Sequence, residues 1–146
     1  MAKCVILSGI PGSGKSTFAK ALLSGKVCSA DDYFMVDGEY KFDVKLLADA
    51  HGACLRKFVH AISSGSDVIV DNTNLSAEEI VPYYALAAAW GYDIKLITFK
   101  CDVETAIARN VHGVPEDGIR AMAKNLEERK LPDYWKYNDK FETFEL

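Results

Sequence analysis

The sequence predicts an α/β fold: a three-layer sandwich with a mostly parallel sheet of four to five strands, helices on both faces and a helical lid. Three observations predict it. Short apolar runs alternate with stretches of helical spacing along the 146 residues, the pattern of βαβ units. The first apolar run leads straight into Gly9-Ile10-Pro11-Gly12-Ser13-Gly14-Lys15-Ser16, which has the G-x-x-x-x-G-K-[ST] spacing of a phosphate-binding loop. Polar clusters follow the next predicted strands, and open parallel sheets place ligands beyond their carboxyl ends.

The elements follow in order. Lys3 to Ser8 reads as a buried strand, and Thr17 to Leu23 as a helix with Phe18, Ala21 and Leu22 on one face. Lys26 to Ala30 is a short second strand, ending in Asp31-Asp32-Tyr33. A loop carrying Asp37-Gly38 comes next. From Phe42 to Ser63, Leu47, Ala50, Cys54, Phe58, Ala61 and Ile62 recur at helical spacing, and Ser64-Gly65-Ser66 stops that helix. Asp67 to Asp71 is apolar enough for a central strand. Asn72-Thr73-Asn74 forms its loop. Ser76 with Glu79 makes a capping box for a helix running towards Trp90, ended by Gly91. Tyr92 to Phe99 is the fourth strand. A short helix runs from Asp102 through Asn110, Gly113-Val114-Pro115 breaks it, and another helix runs from Pro115 to about Arg129. An edge strand is expected near Phe141 to Phe144.

Composition bounds the function. Residues 1–146 are expected to form one domain. Hydrophobic residues make up 49% and charged residues 26%, ordinary globular values. The net charge of −4 weighs against broad, sequence-independent binding to nucleic acid. Cys4, Cys28, Cys54 and Cys101 form no C-x-x-C pair and read as reduced thiols. No signal peptide or long apolar span is present, so a cytoplasmic, membrane-free setting is expected, with no protein partner evident.

The clusters carry chemistry. Gly9, Gly12 and Gly14 let backbone amides approach a phosphate, and a helix N-terminus behind them favours an anion. Lys15 reaches the β- and γ-phosphates, and Ser16 offers its hydroxyl to Mg²⁺. Pro11, Ser13 and Thr17 complete the expected nucleotide-binding set, and ATP with Mg²⁺ is the expected occupant. Asp31 and Asp32 leave the second strand beside the loop. An acceptor hydroxyl needs a carboxylate there, although adjacent aspartates also cap turns. Asp71 ends its strand as a Walker B acid would, to hold Mg²⁺; turn chemistry is its plainer role. Asn72, Thr73 and Asn74 offer neutral donors to a substrate. Arg109 and His112 sit on a lid spanning about 109–130. The arginine neutralises transferring phosphate or, more plainly, satisfies a helix C-terminus. Arg120 and Lys124 read equally as a solvated face or a phosphate-facing one.

Together these residues resemble the polynucleotide 5′-hydroxyl kinase family, of the phage and Nedd4-binding-protein type. The resemblance rests on Gly9 to Thr17, Asp31-Asp32-Tyr33, Val70 to Leu75, and Arg109 to Pro115 in that order. It implies a P-loop kinase-like fold with an arginine-bearing lid. It also implies that Asp31 is the general base and that Lys15 and Ser16 serve the triphosphate and metal. The phage enzyme has an arginine directly after Asp-Asp-Tyr. Here Phe34 stands there, a residue suited to stacking on a base rather than forking on phosphate. No counterpart of the phage enzyme's second, phosphatase domain is expected within these 146 residues.

The expected activity is transfer of the γ-phosphate of ATP to a hydroxyl of a nucleic acid, foremost its 5′ end. One alternative is a kinase of a small molecule, nucleoside or hydroxymethylated DNA base. Another is a nucleotide-binding switch or adaptor without turnover; the missing N-K-x-D motif and the acceptor-side acids stand against it.

Overall fold

Side-chain alternation along the strands decides the layering. Cys4 and Ile6 of β1 (Lys3–Ser8), Val68 and Val70 of β5 (Val68–Asp71), and Ile94 and Leu96 of β6 (Asp93–Lys100) face one way. Leu7, Ile69, Ile97 and Phe99, from the intervening positions, face the other. With both faces buried, the strands read as nearly continuous apolar runs. The computed structural model describes residues 2–21, 25–110, 113–137 and 139–144.

The sheet has five strands in the order β2-β5-β1-β6-β7, all parallel, with β2 at Lys26–Cys28 and β7 at Asp139–Phe144. β1 lies centrally between β5 and β6. Helices α2 (Leu47–Ser63) and α3 (Ala77–Ala89) cover one face through Phe58, Ile62, Ile80 and Tyr83. Helix α1 (Lys15–Ala21) covers the other through Ala19 and Phe18, whose ring meets Phe99 edge-on at 5.4 Å. Helices α4 (Val103–Ala108) and α5 (Glu116–Glu128) form a third apolar cluster in which Ala106 and Ile119 bury Ile10 of the loop. Arg120 ties these two helices, at 2.7 Å from both Glu104 and Glu116. Such exposed pairs add little stability, but they define how α5 lies on α4.

Local chemistry explains the boundaries. Ser76 accepts from the Glu79 backbone while Glu79 reaches back to the Ser76 backbone, the capping box that the sequence predicts. Gly91 takes φ 72° past the end of α3, a conformation glycine adopts freely. β2 stops at Cys28, short of the expected Ala30, because Ser29 caps a 3-10 turn over Ala30–Phe34. Asp43 caps another 3-10 turn, Val44–Leu46, so α2 begins at Leu47 rather than near Phe42. Between them lies an unanticipated hairpin, β3 (Met35–Val36) and β4 (Glu39–Tyr40). Its two central residues, Asp37 and Gly38, have φ 51° and 80°, which gives a two-residue turn whose twist matches the strands.

Burial pushes the Cys4 thiol up to about 12 and that of Cys28 up to about 11. Both are inert reduced thiols at neutral pH. Among the described residues, no helix is long and apolar enough to cross a membrane.

Candidate active site

The loop between β1 and α1 lies at the carboxyl end of the central strand, where the chain turns to either side of the sheet. Gly12 and Gly14 take φ 84° and 96°, open to glycine and strained for other residues. At Gly12 space is also denied: a Cβ would lie 2.3 Å from the Ala106 carbonyl oxygen of α4. The Gly9 amide donates to the Thr73 carbonyl at 2.9 Å, tying the loop to the end of β5.

Lys15 is buried, and its Nζ donates to the Ile10 carbonyl at 3.1 Å. Burial lowers its pKa, against the opposing pull of Asp71 and then Asp31. Among the described residues this buried ammonium bonds to its own loop, a cation held ready for an anion. The Ser16 hydroxyl donates to Asp71 Oδ2 at 3.0 Å. Burial raises the Asp71 pKa, while Lys15 and Ser16 hold it down. Two oxygens from different elements, one of them a carboxylate, suit Mg²⁺, which takes one or two protein ligands and completes its shell with water and phosphate. Ser13 Oγ is buried without a hydrogen-bond partner, a polar atom that a phosphate oxygen would satisfy. The residues present therefore fit a nucleoside triphosphate with Mg²⁺.

Asp31 lies in the turn after β2, the strand next to β5. The Ala30 amide donates to Asn72 Oδ1 at 2.9 Å, and Ser29 Oγ accepts from the Asp31 amide at 3.3 Å. Asn72 thus fastens the turn to the end of β5, next to Asp71. The Asp31 charge acts on both Lys15 and Asp71. On its outer side, Asp31 Oδ1 accepts the Tyr40 hydroxyl at 3.1 Å. Burial, then the Asp31 charge and hydrogen bond, push the Tyr40 hydroxyl up to about 12, so it remains a donor.

The remaining candidates separate. Pro11 and Thr17 lie with the loop and the first turn of α1, and Asp32 is exposed beside Asp31. Phe34 turns the other way: it is 2% exposed and packs on Phe42, ring centroids 5.0 Å apart. No face of it is open to a base. Asn74 is likewise buried, at φ 48°, and its amide donates to the Leu7 carbonyl at 2.7 Å. It braces β1 rather than facing outward. Asn72, Thr73 and Asn74 line a cavity of about 380 Å³ between α2 and α3, with His51 and Tyr83. Arg109 is the C-terminal cap of α4, three residues past the carbonyl that abuts Gly12. His112 lies outside the described residues.

Two residues were not singled out from sequence. Tyr40 is one. The other is Arg129, the C-cap of α5, which donates to Ser8 Oγ, to the Asn74 carbonyl at 3.0 Å and to Thr98 Oγ1 at 3.1 Å. It pins the end of α5 to the rim of β1 and β6. A basic residue closing a helix was its only signal.

Comparison with known proteins extends this picture. A family model described as AAA domain matches residues 4–128. NEDD4-binding protein 2 of Homo sapiens is 38% identical over 132 residues, covering 84% of this chain and 8% of that protein. A protein of Autographa californica nuclear polyhedrosis virus, whose name pairs a polynucleotide kinase with an RNA ligase, is 29% identical over 94% of this chain and 23% of its own length. The chain thus spans a small part of these relatives. In a structure of the Pnkp1/Rnl/Hen1 RNA repair complex, one chain superposes with TM-score 0.70 at 21% identity, over 86% of this chain and 44% of that one. At that identity the likeness shows a shared fold.

Proposed function

Since the chain belongs to the AAA domain family and has a P-loop kinase-like fold related to that of polynucleotide kinases, we propose that it transfers the γ-phosphate of ATP to a hydroxyl at a nucleic-acid end, foremost the 5′-hydroxyl. One observation carries the reading. The Ser16–Asp71 pair and the Asp31 carboxylate follow the neighbouring strands β5 and β2, and both acids act electrostatically on Lys15, an arrangement we read as a donor side with an acceptor side next to it. A nucleotide switch needs the first of these and has no use for the second.

On this reading Lys15 and the loop amides bind the β- and γ-phosphates. Ser16 and Asp71 would hold Mg²⁺, which when bound would neutralise phosphate charge. Asp31 takes the proton of the acceptor hydroxyl as its oxygen bonds to the γ-phosphorus and the bond to the ADP oxygen breaks. Tyr40 donates to Asp31 Oδ1 and helps to fix the orientation of that carboxylate. Arg109, on the lid next to the loop, neutralises charge on the moving phosphoryl group. The family relationship to polynucleotide kinases favours a nucleic-acid acceptor over a sugar or nucleoside.

The test is transfer of labelled γ-phosphate to 5′-hydroxyl DNA and RNA oligonucleotides, hydroxymethylated DNA, nucleosides and sugars. Labelling of oligonucleotide 5′ ends is expected. Labelling of a small molecule alone would reassign the acceptor. No transfer to any acceptor, with ATP bound, would favour the switch.

A further inference from the structure

Among the described residues, seven of the eleven exposed large apolar side chains fall between positions 33 and 47. They crowd the turn that carries Asp31, the hairpin after it and the approach to α2. A concentrated apolar patch beside a polar site marks a binding surface more often than chance exposure. Its aromatic members are packed against one another through Phe34. Tyr33 is 42% exposed and Phe42 53% exposed. Phe42 lies nearly parallel to Tyr40, at 18° and 6.5 Å between centroids, and Tyr40 in turn bonds Asp31. Buried Phe34 supports both exposed rings from beneath, at 5.8 Å from Tyr33 and 5.0 Å from Phe42.

We propose that Tyr33 and Phe42 form a stacking platform for the first bases of a single-stranded acceptor, leading its terminal hydroxyl to Asp31. This rests on the acceptor being a nucleic-acid end. Continuity decides the occupant: the platform is joined to the proposed base through a single side chain, Tyr40. The surroundings decide how it holds a strand. Asp31, Asp32, Asp37, Glu39 and Asp43 outnumber Lys41 and Lys45 along this segment, so phosphates gain little here. Aromatic faces hold bases without regard to sequence and contribute strongly to affinity for single strands. Grip through bases and not through phosphates fits a chain of net charge −4.

The experiment compares KM for a 5′-hydroxyl single-stranded oligonucleotide with KM for the same strand made abasic at its first two positions. Both are measured on the intact chain, on Tyr33→Ala and on Phe42→Ala. The abasic strand keeps every phosphate. With the unaltered chain its KM rises roughly tenfold or more, the scale of a lost base stack. In each variant KM for the ordinary strand rises by a similar factor, and the abasic penalty shrinks. An abasic penalty of equal size in all three proteins overturns the platform. So does a KM unmoved by either substitution, while transfer still depends on Asp31. If the intact chain labels no oligonucleotide, the acceptor reading fails first and takes the platform with it. If the substitutions leave KM alone and instead abolish self-association in sedimentation, the patch is a protein interface and the platform is wrong.

Discussion

The Ser16 hydroxyl donates to Asp71 Oδ2 at 3.0 Å, joining the first turn of α1 to the end of β5 across 55 positions of sequence. The two oxygens stand together before any ligand arrives. If they hold Mg²⁺, loss of either weakens the metal before it weakens the fold. Ser16→Ala and Asp71→Asn are expected to raise the Mg²⁺ concentration for half-maximal turnover by about tenfold or more. A metal titration of phosphotransfer reads this directly. Superimposable curves would remove both residues from the metal site.

Lys15 gives a pH signature. Burial lowers its pKa below the ordinary 10.5, despite Asp71 and Asp31. The folded chain therefore releases this proton before the unfolded chain does. Between the folded value and 10.5 the unfolded state holds more protons, and this contribution to stability rises with pH. Lys15→Met lacks it. Urea midpoints measured from neutral to alkaline pH should show the wild type gaining on the variant across that window. A constant difference would mean that the ammonium is solvated.

Tyr40→Phe removes a hydrogen-bond donor from Asp31 and leaves the ring packed against Phe34 and Phe42. If that bond holds the carboxylate in place for the acceptor, kcat is expected to fall several-fold while ATP affinity and the thermal midpoint stay unchanged. Steady-state kinetics beside calorimetry check this. An unchanged kcat would make Tyr40 a packing residue only.

Arg109→Ala should lower kcat by roughly 10³, the scale for an arginine that meets transition-state charge. An effect below about fivefold, with the thermal midpoint unchanged, would leave Arg109 as the cap of α4.

What could be read from sequence was local. The loop was legible because its glycines, lysine and serine must sit at fixed offsets. The Ser76–Glu79 box needed only four consecutive residues. Long-range placement was not legible. Arg129 reaches Ser8 across 121 positions and Thr98 across 31, and no local pattern encodes that meeting. Tyr40 meets Asp31 because a two-residue turn at Asp37-Gly38 folds the chain back, a turn visible in sequence as a loop but not as a hairpin. Phe34 illustrates the limit of motif position. It follows Asp-Asp-Tyr directly, but the 3-10 turn rotates it into the core and leaves Tyr33 outside.

The central claim is that Asp31 accepts the proton of the acceptor hydroxyl, and one paired measurement tests it most directly. ATP affinity is taken by calorimetry and γ-phosphate transfer to a 5′-hydroxyl oligonucleotide by labelling, for Asp31→Asn and Asp32→Asn. Asparagine preserves shape and hydrogen bonding but is far too weak a base. The expected result for Asp31→Asn is ATP affinity within a few-fold of wild type and transfer reduced by roughly 10² or more, with a smaller loss for Asp32→Asn. Near-normal transfer by Asp31→Asn, beside an inactive but ATP-binding Asp32→Asn, would contradict the claim.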